Sequence, residues 1–196
     1  EEIGIGNHMR IIKSETITET IKELCIKGAC HLPTDVYNRL LEAISTEDSP
    51  VSKHTLEILK ENADIAASNQ EPICQDTGMA CIFVEIGQEV YVEGNLTEAI
   101  NEGVRQGYTE GYLRKSVVDD PVFDRINTKD NTPAIIHYDI VPGDQLKITV
   151  APKGFGSENM CQVKMLKPSD GIEGVKDFIL NVVEDAGPNP CPPIVI

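Results

Sequence analysis

The chain has 196 residues, 40% of them hydrophobic, and a formal net charge of −15. That length and apolar content suit one domain with a real core. The acidic balance speaks against a nucleic-acid surface, which needs a basic stripe, and no apolar run is long enough to cross a bilayer.

The start shows no basic segment followed by an apolar one, so the chain reads as a cytoplasmic protein rather than a secreted one. Residues 1–8 read as an expression remnant, with Met9 as the natural start. Residues 9–196 read as one domain, with a helical part over 9–70 and a mixed α/β part over 71–196. Helices first, then strands mixed with helices, predict an α+β fold with a mixed sheet and flanking helices.

The helical part predicts three helices. Thr16 and Glu19 form a possible capping box; Ile17, Ile21, Leu24 and Cys25 follow on one face, and Gly28 can end the helix. Thr34 caps the second, which turns Val36, Leu40, Ala43 and Ile44 inward. Ser49 caps the third, with Pro50 in its first turn and Leu56, Leu59, Ala63 and Ala66 as its stripe.

The second part opens with a buried strand over 79–86, a turn at Gly87-Gln88, and a short partner strand over 90–92. Asn95 and Glu98 cap a helix that runs to about Tyr112. Gly103, Gly107 and Gly111 each weaken it by roughly 1 kcal/mol, so that face is expected to meet another backbone closely. Strands over 135–141 and 146–150 are joined by the turn Pro142-Gly143-Asp144. A short helix over 158–166 would carry Cys161, and Ser169 would cap a last helix with Ile172, Val175, Ile179, Val182 and Val183 on its apolar face.

Three loops carry residues suited to chemistry. In Cys74-Gln75-Asp76-Thr77-Gly78 a thiol, an amide, a carboxylate and a hydroxyl stand at the mouth of a buried strand. The alternative for those residues is a surface turn with an incidental cysteine. In Pro188-Asn189-Pro190-Cys191-Pro192-Pro193, prolines hold a second cysteine on a stiff loop. In Lys153-Gly154-Phe155-Gly156-Ser157, glycines let backbone N–H groups approach an anion. Of the 6 cysteines, Cys25, Cys30 and Cys81 fall in apolar patterns and read as core. No Cys-x-x-Cys pair supports a zinc ribbon.

Taken together and in this order, the three motifs resemble the α subunit of the two-subunit class I fumarate hydratases, with the iron–sulfur L-tartrate dehydratases as close relatives. The resemblance runs from about Met9 to the end of the chain. It implies a hydro-lyase that reversibly hydrates fumarate to (S)-malate, a step of the tricarboxylic acid cycle, with a [4Fe–4S] cluster held by three cysteines. By that resemblance, Cys74 and Cys191 are two of the cluster ligands and the third lies beyond the chain end. Asp76 is the proton-transfer carboxylate. Gln75 and Arg114 contact the substrate, and Gly154, Phe155 and Gly156 belong to its backbone donor loop. Phe155 departs from the Lys-Gly-Gly-Gly pattern of the family.

The implied partners are a β subunit, a small dicarboxylate substrate and a second α subunit in a hetero-oligomer, with no nucleic acid and no membrane. As a fragment with an incomplete or absent cluster, the chain alone is expected to be inactive. An L-tartrate dehydratase α subunit is the alternative within the same chemistry, and a non-catalytic anion-binding or scaffolding module is the alternative outside it.

Overall fold

The computed structural model describes residues 9–155, 159–187 and 189. The fold is α+β. Strand β1 (Arg10–Lys13) leads into helices α1 (Ser14–Cys30), α2 (Thr34–Thr46) and α3 (Pro50–Asn69). Then come β2 (Met79–Gly87), β3 (Val90–Glu93), α4 (Leu96–Glu110), β4 (Ile135–Val141) and β5 (Leu146–Lys153). A 3-10 turn (Pro168–Asp170) precedes the last helix, α5 (Gly171–Ala186).

The core is a layer of two helices against one sheet. Ile17, Ile21 and Cys25 of α1 and Ile100, Val104 and Tyr108 of α4 are buried with Ala80, Ile82 and Val84, the inward face of β2. Glycine sets the distance between the two helices. A Cβ on Gly103 would lie 2.6 Å from the Thr18 carbonyl oxygen, and one on Gly107 would lie 2.8 Å from the Cys25 Cβ. The helix propensity lost at these positions is offset by close packing along the α1–α4 contact.

The sheet has the order β4-β2-β5, with β4 parallel and β5 antiparallel to β2. The strands on either side of the Pro142-Gly143-Asp144 turn are therefore not hairpin partners; each takes one edge of β2. This corrects the expectation for β3. With both edges of β2 occupied, β3 has no place in that sheet, and it pairs in parallel with β1 instead. Chain exit from β2 is fixed by hydrogen bonds from Gly87 N to Gln145 O and from Glu89 N to Gly143 O.

Other local expectations shift as well. The first helix begins at Ser14, so Thr16 lies inside it and caps nothing, and it continues past Gly28 to Cys30. Thr34 is the first helical residue of α2, with Pro33 at the cap. The caps at Ser49 and Asn95 are made, to the Ser52 and Glu98 amides. Helix α4 stops at Glu110 rather than Tyr112.

Among the described residues of the expected 158–166 helix there is a turn at 159–160 and then irregular chain. Val163 and Met165 are 96% and 93% exposed, so no packing face rewards a short helix there. Ser169 falls in the 3-10 turn, and Asp170 is the residue that precedes α5. Ile172, Val175 and Ile179 on α5 are exposed; Ala186 alone on this helix is buried. The expected apolar face of the last helix therefore lies outside the core. No helix among the described residues is long and apolar enough to cross a membrane.

Candidate active site

Strand β2 begins where the Cys74–Gly78 loop ends, and β5 ends beside it, with Met79 paired to Lys153. The loop is anchored at both ends. At its base, Ile73 N donates to Ala29 O at the end of α1, and Asn62 of α3 donates to Ile73 O at 2.9 Å. At its far end, Gly78 has φ +62°, and a Cβ there would lie 2.0 Å from the Lys153 carbonyl oxygen. Only glycine lets the Cys74 loop and the Lys153–Gly154 loop meet so closely.

Within the loop the reactive side chains face outward. Cys74 and Gln75 are exposed and Asp76 is half-buried, while Thr77 and Gly78 are buried. The Asp76 backbone amide donates to Cys74 Sγ at 3.4 Å. A metal-bound sulfur accepts backbone donors of this kind. Burial pushes the Cys25 thiol up to about 12. Cys30 is buried too, with its thiol raised for the same reason.

Arg114 reaches the same end of the sheet through its backbone. Thr77 Oγ1 donates to Arg114 O at 3.0 Å, so the two motif segments are in direct contact. The Arg114 side chain is exposed and makes no ion pair among the described residues. Arg105, by contrast, is engaged with Glu102 and with Asp130.

Two residues outside the motifs hold this arrangement. Tyr108 of α4 is 1% exposed and donates to Thr77 O at 2.8 Å. Burial pushes its phenol above the usual value, so it stays a neutral donor. Asn131 is fully buried and has φ +63°, a left-handed conformation that asparagine adopts more readily than most residues. Its side-chain amide donates to Gly78 O at 2.9 Å, and its side-chain oxygen accepts from the Ser116 and Val117 amides at 2.8 and 3.2 Å. The available signals were weak: a turn-forming Asp-Asn pair and a tyrosine on the glycine-bearing face of α4.

Of the other expected site residues, Gly154 is half-buried beside Gly78 and Phe155 is 51% exposed. Gly156 and Cys191 lie outside the described residues. Cys161 is exposed and stands on irregular chain rather than on a helix. No three His, Cys, Asp or Glu side chains among the described residues are arranged to hold a metal ion. Cys74 alone fits the role of cluster ligand there, by its exposure and its backbone donor. Surface clefts of about 440 and 580 Å³ lie elsewhere, the first along β1 and α1, the second between α1 and α4.

Residues 18–196 match the family model described as "Fumarate hydratase (Fumerase)". The chain is 43% identical over 185 residues to a Methanocaldococcus jannaschii protein named "Putative L(+)-tartrate dehydratase subunit alpha", covering 92% of this chain and 65% of that protein. Two Escherichia coli proteins named L(+)-tartrate dehydratase subunit alpha are 30% and 29% identical, each match covering 92% of this chain and 60% of theirs. The chain thus spans about two thirds or less of the length of these relatives.

Proposed function

The chain belongs to the fumarate hydratase family, and from that premise we propose that it is the α subunit of a cytoplasmic iron–sulfur hydro-lyase that reversibly hydrates fumarate to (S)-malate, as in the tricarboxylic acid cycle. The observation that carries this reading is the meeting of the Cys74–Gly78 loop, Arg114 and the Lys153–Gly154 loop at one end of β2. Those three segments bring together a candidate metal ligand, a carboxylate, a cation and backbone donors.

Each group has a task in adding water across a double bond. Arg114 offers a guanidinium fork to one substrate carboxylate. Gln75 and the Gly154 backbone help to orient the substrate. Asp76, half-buried beside them, holds or moves the proton at the reacting carbon. Cys74, with Cys191 and a third cysteine, would hold a [4Fe–4S] cluster. When bound, a cluster with three protein ligands supplies one open iron as a Lewis acid.

The relatives' names as α subunits support a β subunit that completes the site; further cationic groups are proposed to come from it. An α–α contact completes the proposed hetero-oligomer. This chain alone is proposed to be inactive, because a site short of one thiolate holds its cluster weakly. Anaerobic reconstitution of the chain with iron and sulfide, followed by an assay for fumarate consumption, checks this. Turnover by the chain alone would refute it.

The names of the relatives favour L-tartrate as a second substrate reading. The deciding experiment is a steady-state assay of the reconstituted α–β enzyme on both acids. Higher kcat/KM for fumarate is expected; a higher value for L-tartrate would reassign the substrate, and no turnover of either would refute the hydro-lyase reading. Iron and sulfide analysis of the anaerobically prepared α subunit then separates an enzyme from an anion-binding or scaffolding module.

A further inference from the structure

Among the described residues Asn131 is a fully buried polar side chain, and the hydrogen bonds of its side-chain amide to backbone groups go to two segments of the site. One side of its amide grips the last residue of the Cys74–Gly78 loop, at Gly78 O. The other side accepts from Ser116 and Val117, two and three residues beyond Arg114. We propose that Asn131 is a positioning residue that fixes Cys74 and Asp76 relative to Arg114. The proposal rests on the hydro-lyase reading and adds to it a group that touches neither substrate nor cluster.

The geometry is costly unless all of it is used. An asparagine removed from water loses solvation at both ends of its amide, and this loss is recovered only if both ends are paired in place. Here each end pairs with a different chain segment, 53 and 14 to 15 residues away. A shift of the Arg114 segment against the Cys74 loop would break at least one bond of a fully buried side chain. The link is therefore stiff where the flanking side chains are exposed. Thr77 and Tyr108 reinforce it from the side, through Arg114 O and Thr77 O. Below it, Asp130 takes hydrogen bonds from the Thr132 amide and hydroxyl and from Arg105 of α4, which ties the turn to the helical layer. Differential transition-state binding depends on such spacing, and a displacement of about 1 Å can cost up to about a hundredfold in rate.

Asn131→Asp separates positioning from folding. The substitution keeps the shape and keeps an acceptor for Ser116 and Val117. Ionised, the introduced carboxyl sets a negative oxygen against Gly78 O; protonated, it donates there again. The two readouts are hydrogen exchange of peptides covering 73–78 and α1, and kcat/KM of the anaerobic α–β enzyme. Each is compared with the unsubstituted protein from about pH 8 to about pH 6. The expected result is faster exchange in 73–78 alone at the alkaline end, with kcat/KM down about tenfold or more and recovery of both toward the acid end. Thr77→Val, which deletes the bond to Arg114 O, should lower kcat/KM without any pH recovery.

Equal loosening of 73–78 and α1, or unchanged exchange in 73–78 at every pH, would overturn the proposal. No turnover in the unsubstituted enzyme would defeat the hydro-lyase reading and leave the exchange arm to decide whether the clamp exists.

Discussion

Gly78 and Lys153 lie so close that a single methyl group on Gly78 would fall 2.0 Å from the Lys153 carbonyl oxygen. This contact joins the loop bearing Cys74 to the loop that follows β5. It predicts that Gly78→Ala suffers twice, by about 1–3 kcal/mol for its positive φ and by about 1–3 kcal/mol for the overlap. Gly143 has φ +100° but open space around it, so Gly143→Ala should bear the first cost only. Urea unfolding of both variants checks this; equal destabilisation would show that the contact relaxes freely.

Gly103 and Gly107 invert the usual rule for helix interiors. Alanine should gain about 1 kcal/mol of propensity at each. The Thr18 carbonyl at 2.6 Å from a Cβ on Gly103 and the Cys25 Cβ at 2.8 Å from one on Gly107 leave no room for it. Both variants should be less stable by about 1–3 kcal/mol, as for other overpacked cores. A rise in Tm for either would mean that α1 and α4 can separate at little cost.

Asp130 makes stability depend on acid pH. Burial disfavours its charge, yet the Thr132 amide and hydroxyl and the Arg105 guanidinium win and hold its carboxyl at about 2. The folded value lies below the unfolded value of about 3.9. Its contribution is therefore complete above about pH 4 and is lost as the pH falls toward about 2. Asp130→Asn should lower stability at neutral pH and flatten the stability profile between those limits. Parallel acid-unfolding profiles for the two proteins would contradict the pairing.

Cluster ligation predicts a selective loss. In the full-length α subunit, with its third cysteine and reconstituted anaerobically, Cys74→Ser and Cys191→Ser should each abolish the iron–sulfur absorbance. Cys25→Ser and Cys81→Ala should retain it, because both thiols are buried in the core and Cys25 resists ionisation. Full absorbance in Cys74→Ser would remove the loop from the cluster site.

Arg114 predicts a loss of grip without a loss of charge. A charge-assisted fork is worth roughly 1.5–3 kcal/mol, and lysine keeps the charge but not the fork. Arg114→Lys in the α–β enzyme should lower kcat/KM by about tenfold to a hundredfold. Kinetics indistinguishable from the unsubstituted enzyme would leave Arg114 as an exposed cation just beyond α4.

Much of the candidate site's placement in the fold was legible because its parts are local. Cys74, Gln75 and Asp76 sit in a loop bounded by Pro72 and Gly78, and that composition alone marks a turn before a buried strand. Glycines at Gly103 and Gly107, out of place in a helix, announced a close contact without naming the partner. The clamp was not legible. Asn131 and Tyr108 look like an ordinary turn residue and an ordinary core tyrosine until the chain folds.

The sequence by itself determined most of the helices and strands and which face of α1, α4 and β2 turns inward, because periodicity and caps act over a few residues; β1 was not expected, and the expected 158–166 helix is irregular chain among its described residues. Only the tertiary structure decided the pairings. Both β4 and β5 claim β2, so β3 must turn to β1, and no residue in β3 encodes that exclusion. The same holds for the site: Gly78 meets Asn131 across 53 positions and Thr77 meets Arg114 across 37. Such contacts form only after the strands have closed the loop between them, since the entropy of bringing distant segments together is met by the core as a whole and not by any local motif.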